Sequence, residues 1–321
     1  MIRSNDITFV VQGPIRDATK ETLKSIRLNF KESIIILSTW EGSDVQGLDF
    51  DTVIYNKDPG SLDIRKNKIV VSQENTNRQI VSTHHGLIKV KTQYAVKLRT
   101  DMPILNTNII KYYKKAQCYE SDINFTLLEE RVLVSSINTI DPNSYIKFPY
   151  HISDWIYFGK TSDLLKIWNG ELVPNDEYFT EQNIKEEVCC ERGFDFGRFT
   201  AEQLVLYSFL RKNRINDYNF YCDVNEYKIE KAIKYTLSNF YCVSPKKLGV
   251  CFNKYEDLIN IKMSYNSLRH YFGFYLVTIN ESVWRNYYSK YYSLKTSITE
   301  KLEINIRRLA LHFMRKLKHE K

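Results

Sequence analysis

Three acidic side chains, with a few basic and amide ones, carry most of the chemistry this sequence could do. Asp101 and Thr100 follow the alternating run Tyr94 to Arg99, YAVKLR, whose pattern and residue types predict a strand. Met102–Pro103 cannot continue a central ladder, so the strand ends there. A carboxylate at the carboxyl end of a buried α/β strand sits where such sheets bind ligands. One carboxylate plus substrate phosphates suits a hard divalent cation, Mn2+ or Mg2+; the alternative is an Asp capping its own turn. Arg78 and Gln79 stand near the amino end of a predicted helix over Asn75 to Val90. Free backbone N–H groups and a guanidinium there favour an anion such as a phosphate, unless Arg78 is an ordinary surface residue. Asp154 shares a polar cluster with His151 and Ser153. Glu202 lies in the first turn of a helix opened by Thr200 and Gln203, a capping-box pair, where a carboxylate also simply offsets the helix dipole.

These residues need a frame. Ile7 to Val11, ITFVV, reads as a buried parallel strand, closed by Gln12-Gly13-Pro14, whose glycine lets backbone approach a ligand closely. A helix follows from an Asp17 cap, burying Leu23, Ile26 and Phe30. Ser33 to Thr39 and Asp51 to Asn56 give two more strands, and Asp58-Pro59-Gly60 a turn. In the helix before Asp101, Ile80, His84, Leu87 and Val90 form the expected buried stripe, and adjacent His84 and His85 diverge too far to share a metal. A helix over Asn108 to Tyr119 and strands over Arg131 to Asn138 and Trp155 to Gly159 come next, then a polar, irregular stretch to Phe199. Strands alternating with helices predict an α/β fold, a mostly parallel sheet flanked by helices. Sheet signals fade beyond Asn213, so we expect a first domain over 1–215 and a C-terminal, mainly helical extension over 216–321.

With 23 Tyr and 17 Phe in 321 residues, the chain is too aromatic for disorder. Of its net charge of +8, +5 falls between Lys301 and Lys321. There Leu302, Ile306, Leu309, Phe313 and Leu317 recur at helical spacing among Arg307, Arg308, Arg315, Lys316 and Lys318, a basic amphipathic helix. Such a helix fits an anionic membrane surface, or packs on its own domain; no nucleic-acid module is present, and no nucleic-acid partner is expected. The six cysteines form no C-x-x-C pair and read as reduced thiols. No signal peptide or spanning segment is evident. The expectation is a cytoplasmic protein, peripheral at most on the inner face of the membrane.

The pieces VVQGP, TNRQIVST with the following GL, VKLRTD, SDWIYFG and a later EQ occur in this order. As an ordered set, over roughly Ile7 to Leu210, they resemble the WavE lipopolysaccharide-synthesis family, which looks like a branch of the GT-A-fold glycosyltransferases. The resemblance implies a GT-A-like, Rossmann-like domain. It would bind a nucleotide sugar through Gln12, Gly13, Asn77, Arg78, Gln79, Arg99 and Asp101, and transfer the sugar to a lipid-linked or oligosaccharide acceptor of lipopolysaccharide or capsule. In place of the fold's Asp-x-Asp stands Arg99-Thr100-Asp101, with Asp101 as metal ligand and Arg99 taking part of the charge neutralisation. Inverting members place a carboxylate base at a helix start beyond this strand; Glu202 matches, with Asp154 as the reserve. A retaining enzyme needs no such base. A sugar-phosphate nucleotidyltransferase would want a Gly-rich basic loop after the first strand, and a non-catalytic assembly protein would leave these carboxylates without a task.

Overall fold

The computed structural model describes residues 2–66, 69–144, 146–174, 197–251, 276–292 and 298–319. The first strand, β1 (Ile7–Gln12), is buried along its whole length, and α1 (Thr19–Asn29) follows. The helix starts two residues after Asp17: Ala18 is the cap residue, and the Thr19 hydroxyl accepts from the Arg16 N–H at 2.8 Å. Leu23, Ile26 and Phe30 are fully buried, as their spacing requires. Next come β2 (Ile34–Trp40) and β3 (Thr52–Asn56), then a hairpin, β4 (Leu62–Lys66) and β5 (Ile69–Glu74), which the sequence did not signal. It leads into α2 (Thr76–Leu87) and β6 (Tyr94–Arg99).

The remaining elements are α3 (Asn108–Gln117), β7 (Val132–Ser135), β8 (Ile156–Lys160), α4 (Thr161–Ile167), α5 (Ala201–Lys212), α6 (Glu226–Asn239), β9 (Phe240–Val243), α7 (Pro245–Leu248), α8 (Glu281–Tyr292) and α9 (Ile298–His319). Seven strands form one sheet in the order β3-β2-β1-β6-β8-β7-β9. Only β8 runs against its neighbours, pairing antiparallel with both β6 and β7. The α/β fold with a mostly parallel, helix-flanked sheet is therefore present.

The sheet does not stop at residue 215. β9 adds the seventh strand beside β7, in register from Val132↔Phe240 to Ser135↔Val243. Its four residues, FYCV, are too few to show a period, so the segment beyond 216 supplies a core strand as well as helices. Among the cysteines, Cys118, Cys242 and Cys251 are free thiols, but Cys222 is disulfide-bonded, which corrects the expectation of six reduced thiols. No helix among the described residues is long and apolar enough to cross a membrane.

One contact fixes where α2 lies. Gly86 presses on β1 so closely that a Cβ there would stand 2.3 Å from Val10 Cγ1. The amino end of α2 is thereby set beside the carboxyl ends of β1 and β6.

Candidate active site

A cleft of about 350 Å³ opens at the carboxyl edge of the sheet, lined by Gln12, Arg16, Trp40, Arg78, Arg99 and Asp101 among others. Its floor is the turn after β1. Gly13 takes φ +121°, a conformation for glycine, and its N–H donates to Ser38 O at 3.0 Å. The Thr100 hydroxyl donates to Pro14 O at 2.7 Å, tying this turn to the end of β6.

Asp101 does project into the cleft, but not as an open carboxylate. Arg99 grips both its oxygens, Nε to Oδ1 at 2.9 Å and an NH2 group to Oδ2 at 3.2 Å, while Arg16 Nε lies 3.4 Å from Oδ2. No group of three His, Cys, Asp or Glu among the described residues is placed to hold a metal ion. The expectation of Mn2+ or Mg2+ on Asp101 thus meets a carboxylate clamped by two guanidiniums. A divalent cation would face both at close range, so this donor set does not fit one.

Arg78 lines the cleft and is held in place there. It forms a fork with Asp58, Nε–Oδ1 at 2.8 Å and NH2–Oδ2 at 2.7 Å, and its third arm donates to Asn75 Oδ1 at 2.6 Å. That fork holds the Asp58 carboxyl below its ordinary range. Gln79 also lines the cleft, and its Oε1 is buried without a hydrogen-bond partner. Gln12 lines it too, although its Oε1 accepts from Ser82 Oγ at 2.7 Å. Three arginines against two aspartates leave the lining net positive.

Asn77 is elsewhere. Its amide forms a two-way bridge with the backbone of Val173, both bonds at 2.9 Å, so it pins the chain after α4 and does not line the cleft. The sequence missed Arg16 and Trp40; a lone Arg in the turn after β1 and a lone Trp at the last position of β2 carry no period to mark them.

The second group of acids lies along the same edge because β8 is reversed. Ile156 pairs with Leu98, so Asp154, two residues earlier, falls level with Thr100 at the carboxyl end of β6. Beneath it, Lys97 is fully buried; its Nζ donates to Asp154 O and sits 4.7 Å above the Trp168 ring. Burial brings this ammonium down to about 7, with the Asp154 charge opposing the fall.

Glu202 stands at the start of α5, where the expected capping box is formed: Gln203 N–H to Thr200 Oγ1 at 3.3 Å, and Thr200 N–H to Gln203 Oε1 at 3.2 Å. Its side chain is 13% exposed. Oε1 accepts from Asn138 Nδ2 at 3.0 Å, and Oε2 lies 3.3 Å from His151 Nε2. Asn138 follows β7 with φ +61°, a left-handed conformation that Asn tolerates. Its carbonyl takes the other imidazole nitrogen, Nδ1, at 2.8 Å. One residue thus holds both members of the pair. Burial, then the neighbouring Asp154 charge, push the Glu202 carboxyl up to about 8. Burial also brings the His151 imidazole down to about 4. The sequence marked His151 and Asp154 as one polar cluster and Glu202 apart from it, but gave no sign of Asn138 or of the His151–Glu202 pairing.

Against curated protein sequences the chain has no significant match. Among solved structures it is similar to S. aureus TarS, at 13% identity and TM-score 0.32, over 84% of this chain and 80% of that one. It is also similar to a Drosophila β-1,4-galactosyltransferase 7 complexed with manganese, UDP-Gal and xylobiose. That match has 12% identity and TM-score 0.25, covers 53% of this chain and spans 58% of the galactosyltransferase chain. The profile of the WavE lipopolysaccharide synthesis family matches residues 7–318, and the chain belongs to that family.

Proposed function

We propose that the chain is a glycosyltransferase. It moves a sugar from a nucleotide-sugar donor to a growing surface polysaccharide on the cytoplasmic side of the membrane, the acceptor being lipid-linked or an oligosaccharide. The observation that carries this reading is the net-positive, three-arginine cleft at the ends of β1 and β6, with an ionisable carboxyl farther along the same edge.

The diphosphate of the donor lies against Arg78 and the Arg16–Asp101–Arg99 cluster. Arg78 is already oriented by Asp58 and Asn75, so little freedom is lost when it meets a phosphate. As the bond between the sugar's anomeric carbon and the phosphate oxygen breaks, negative charge grows on the leaving nucleotide. The guanidiniums stabilise it without reorganising. Manganese accompanies the galactosyltransferase named above; here the arginines meet that charge, and no step uses a metal.

The acceptor hydroxyl attacks the anomeric carbon, and its proton passes to Glu202. The His151 Nδ1–H is committed to Asn138 O, which leaves Nε2 bare toward Glu202. The carboxyl keeps the proton, and the bare Nε2 accepts its hydrogen bond, which orients the acid. Attack from the face opposite the leaving group inverts the anomeric configuration.

The test incubates purified full-length protein with separate UDP, GDP, CMP and dTDP sugars, and follows nucleotide release and product stereochemistry. Slow hydrolysis of one donor class is the expected result. Silence toward every donor, with no nucleotide binding by calorimetry, would remove the reading.

A further inference from the structure

The helix α9 docks on the protein by one narrow face. Over Ile298 to His312, Ile304 and Arg307 are its buried residues, at 6% and 4% exposure. Arg307 donates to Thr278 O at 2.7 Å and pairs with Asp141 Oδ2 at 3.0 Å, and Tyr287 donates to the other oxygen of that carboxylate at 2.8 Å. The acids of the helix also turn inward: Glu300 pairs with Arg285, and Glu303 accepts from Ser282 at 2.6 Å. The helix is therefore anchored by Ile304 in the apolar core and by a set of specific polar contacts.

The other face is apolar and open. Ile298, Leu302, Ile306 and Leu309 are exposed at 85%, 59%, 60% and 71%. At about 100° per residue, the last three fall about 140–200° around the helix from Ile304. The stripe points directly away from the body of the protein. A terminal helix that existed only to pack on its own domain would turn these residues inward. Lys301, Arg308 and His312, also exposed, flank the stripe on one side, and the sequence continues both features with Phe313, Leu317, Arg315 and Lys316.

We propose that this face of α9 docks the protein on an anionic phospholipid bilayer. The apolar stripe enters the acyl boundary while the flanking cations meet headgroup phosphates. Charge selects this occupant. Two copies meeting through α9 would bring together segments that each carry +5 between Lys301 and Lys321. A bilayer rich in phosphatidylglycerol offers the opposite sign.

The experiment floats the full-length protein with vesicles of phosphatidylcholine alone, or with phosphatidylglycerol added, at low and high salt. The wild type should bind the anionic vesicles and be released by salt. The triple variant Leu302→Ser, Ile306→Ser, Leu309→Ser should bind about tenfold less, and Lys301→Glu with Arg308→Glu should remove the salt-sensitive part. All these side chains are exposed, so both variants should keep the wild-type melting temperature. Equal vesicle binding by the triple variant and the wild type would overturn the proposal. So would a wild-type dimer in sedimentation that the triple variant dissolves, since the stripe would then cover a second copy. Binding is read without turnover, so neither outcome depends on glycosyl transfer.

Discussion

His151 Nε2 stands 3.3 Å from Glu202 Oε2, and the contact holds a single proton. The imidazole Nδ1 must donate to Asn138 O, because a carbonyl only accepts. Nε2 therefore carries a proton only when the ring is charged, which burial opposes. Near neutrality the shared proton rests on the carboxyl, pushed up to about 8.

The ionised fraction of Glu202 should accordingly set the pH dependence of transfer. The rate should climb about tenfold per pH unit below about 8 and level off above it. Glu202→Gln should lower kcat by about 10² or more and flatten that profile, leaving donor affinity nearly unchanged. Asp154→Asn removes the nearby negative charge and should move the rise to lower pH. Single-turnover rates across pH for the three proteins check this. An Asp154→Asn variant that binds donor normally but fails at chemistry at every pH would reverse the two roles.

The same carboxyl should be visible in stability. Its folded pKa is raised from 4.5 to about 8, so the folded state keeps a proton that the unfolded chain releases. Its stabilisation is complete below about 4.5 and is lost as pH rises through about 8. Glu202→Gln should thus melt a few degrees above the wild type at pH 9, with the gap closing toward pH 4.5. Calorimetric melting over that range measures it.

Arg78 should act on the nucleotide. Arg78→Ala should weaken nucleotide binding about tenfold or more by calorimetry, and Arg78→Lys should not restore it, since a point charge cannot make the two-oxygen fork. Unchanged affinity would assign the Arg78–Asp58 pair to structure alone.

For Asp101, Asp101→Ala should abolish transfer while circular dichroism shows an intact fold, because a strand-end carboxylate contributes little to the core. It would remove the carboxylate that Arg99 and Arg16 both face in the cleft. Nucleotide binding by the wild type should be indifferent to a chelator. Loss of binding on chelation, with recovery on adding Mn2+, would replace the arginine account with a metal one.

Packing gives a prediction of its own. Gly86→Ala would drive a methyl onto Val10, forcing α2 off β1 at about 1–3 kcal/mol in stability. Because α2 presents Arg78 and Gln79, nucleotide affinity should fall with it.

The sequence made the first half of the sheet readable, since ITFVV and the alternating YAVKLR announce buried strands and put Gln12 and Asp101 at one edge. The capping box at Thr200 and Gln203 likewise located Glu202 at a helix start. Other features had no local signal. Alternation carries no direction, so the reversal of β8, which brings Asp154 level with Thr100, could not be read. The role of Asn138 depends on a left-handed turn meeting a helix 64 residues away. Asn77 looked like its neighbours Arg78 and Gln79 by position, yet on a helix it faces about 100° away from the next residue, toward Val173.

The sheet order also has a consequence for how the chain assembles. β8 fills the gap between β6 and β7, so β7 has no partner in that direction until residues 156–160 arrive. Every residue that lines the cleft precedes Met102 in sequence, whereas the Glu202 cluster outside it needs Asn138, His151 and Glu202 from three later segments. Nucleotide binding should therefore appear earlier during refolding than catalytic competence, with the long-range closure of β8 as the slow event separating them.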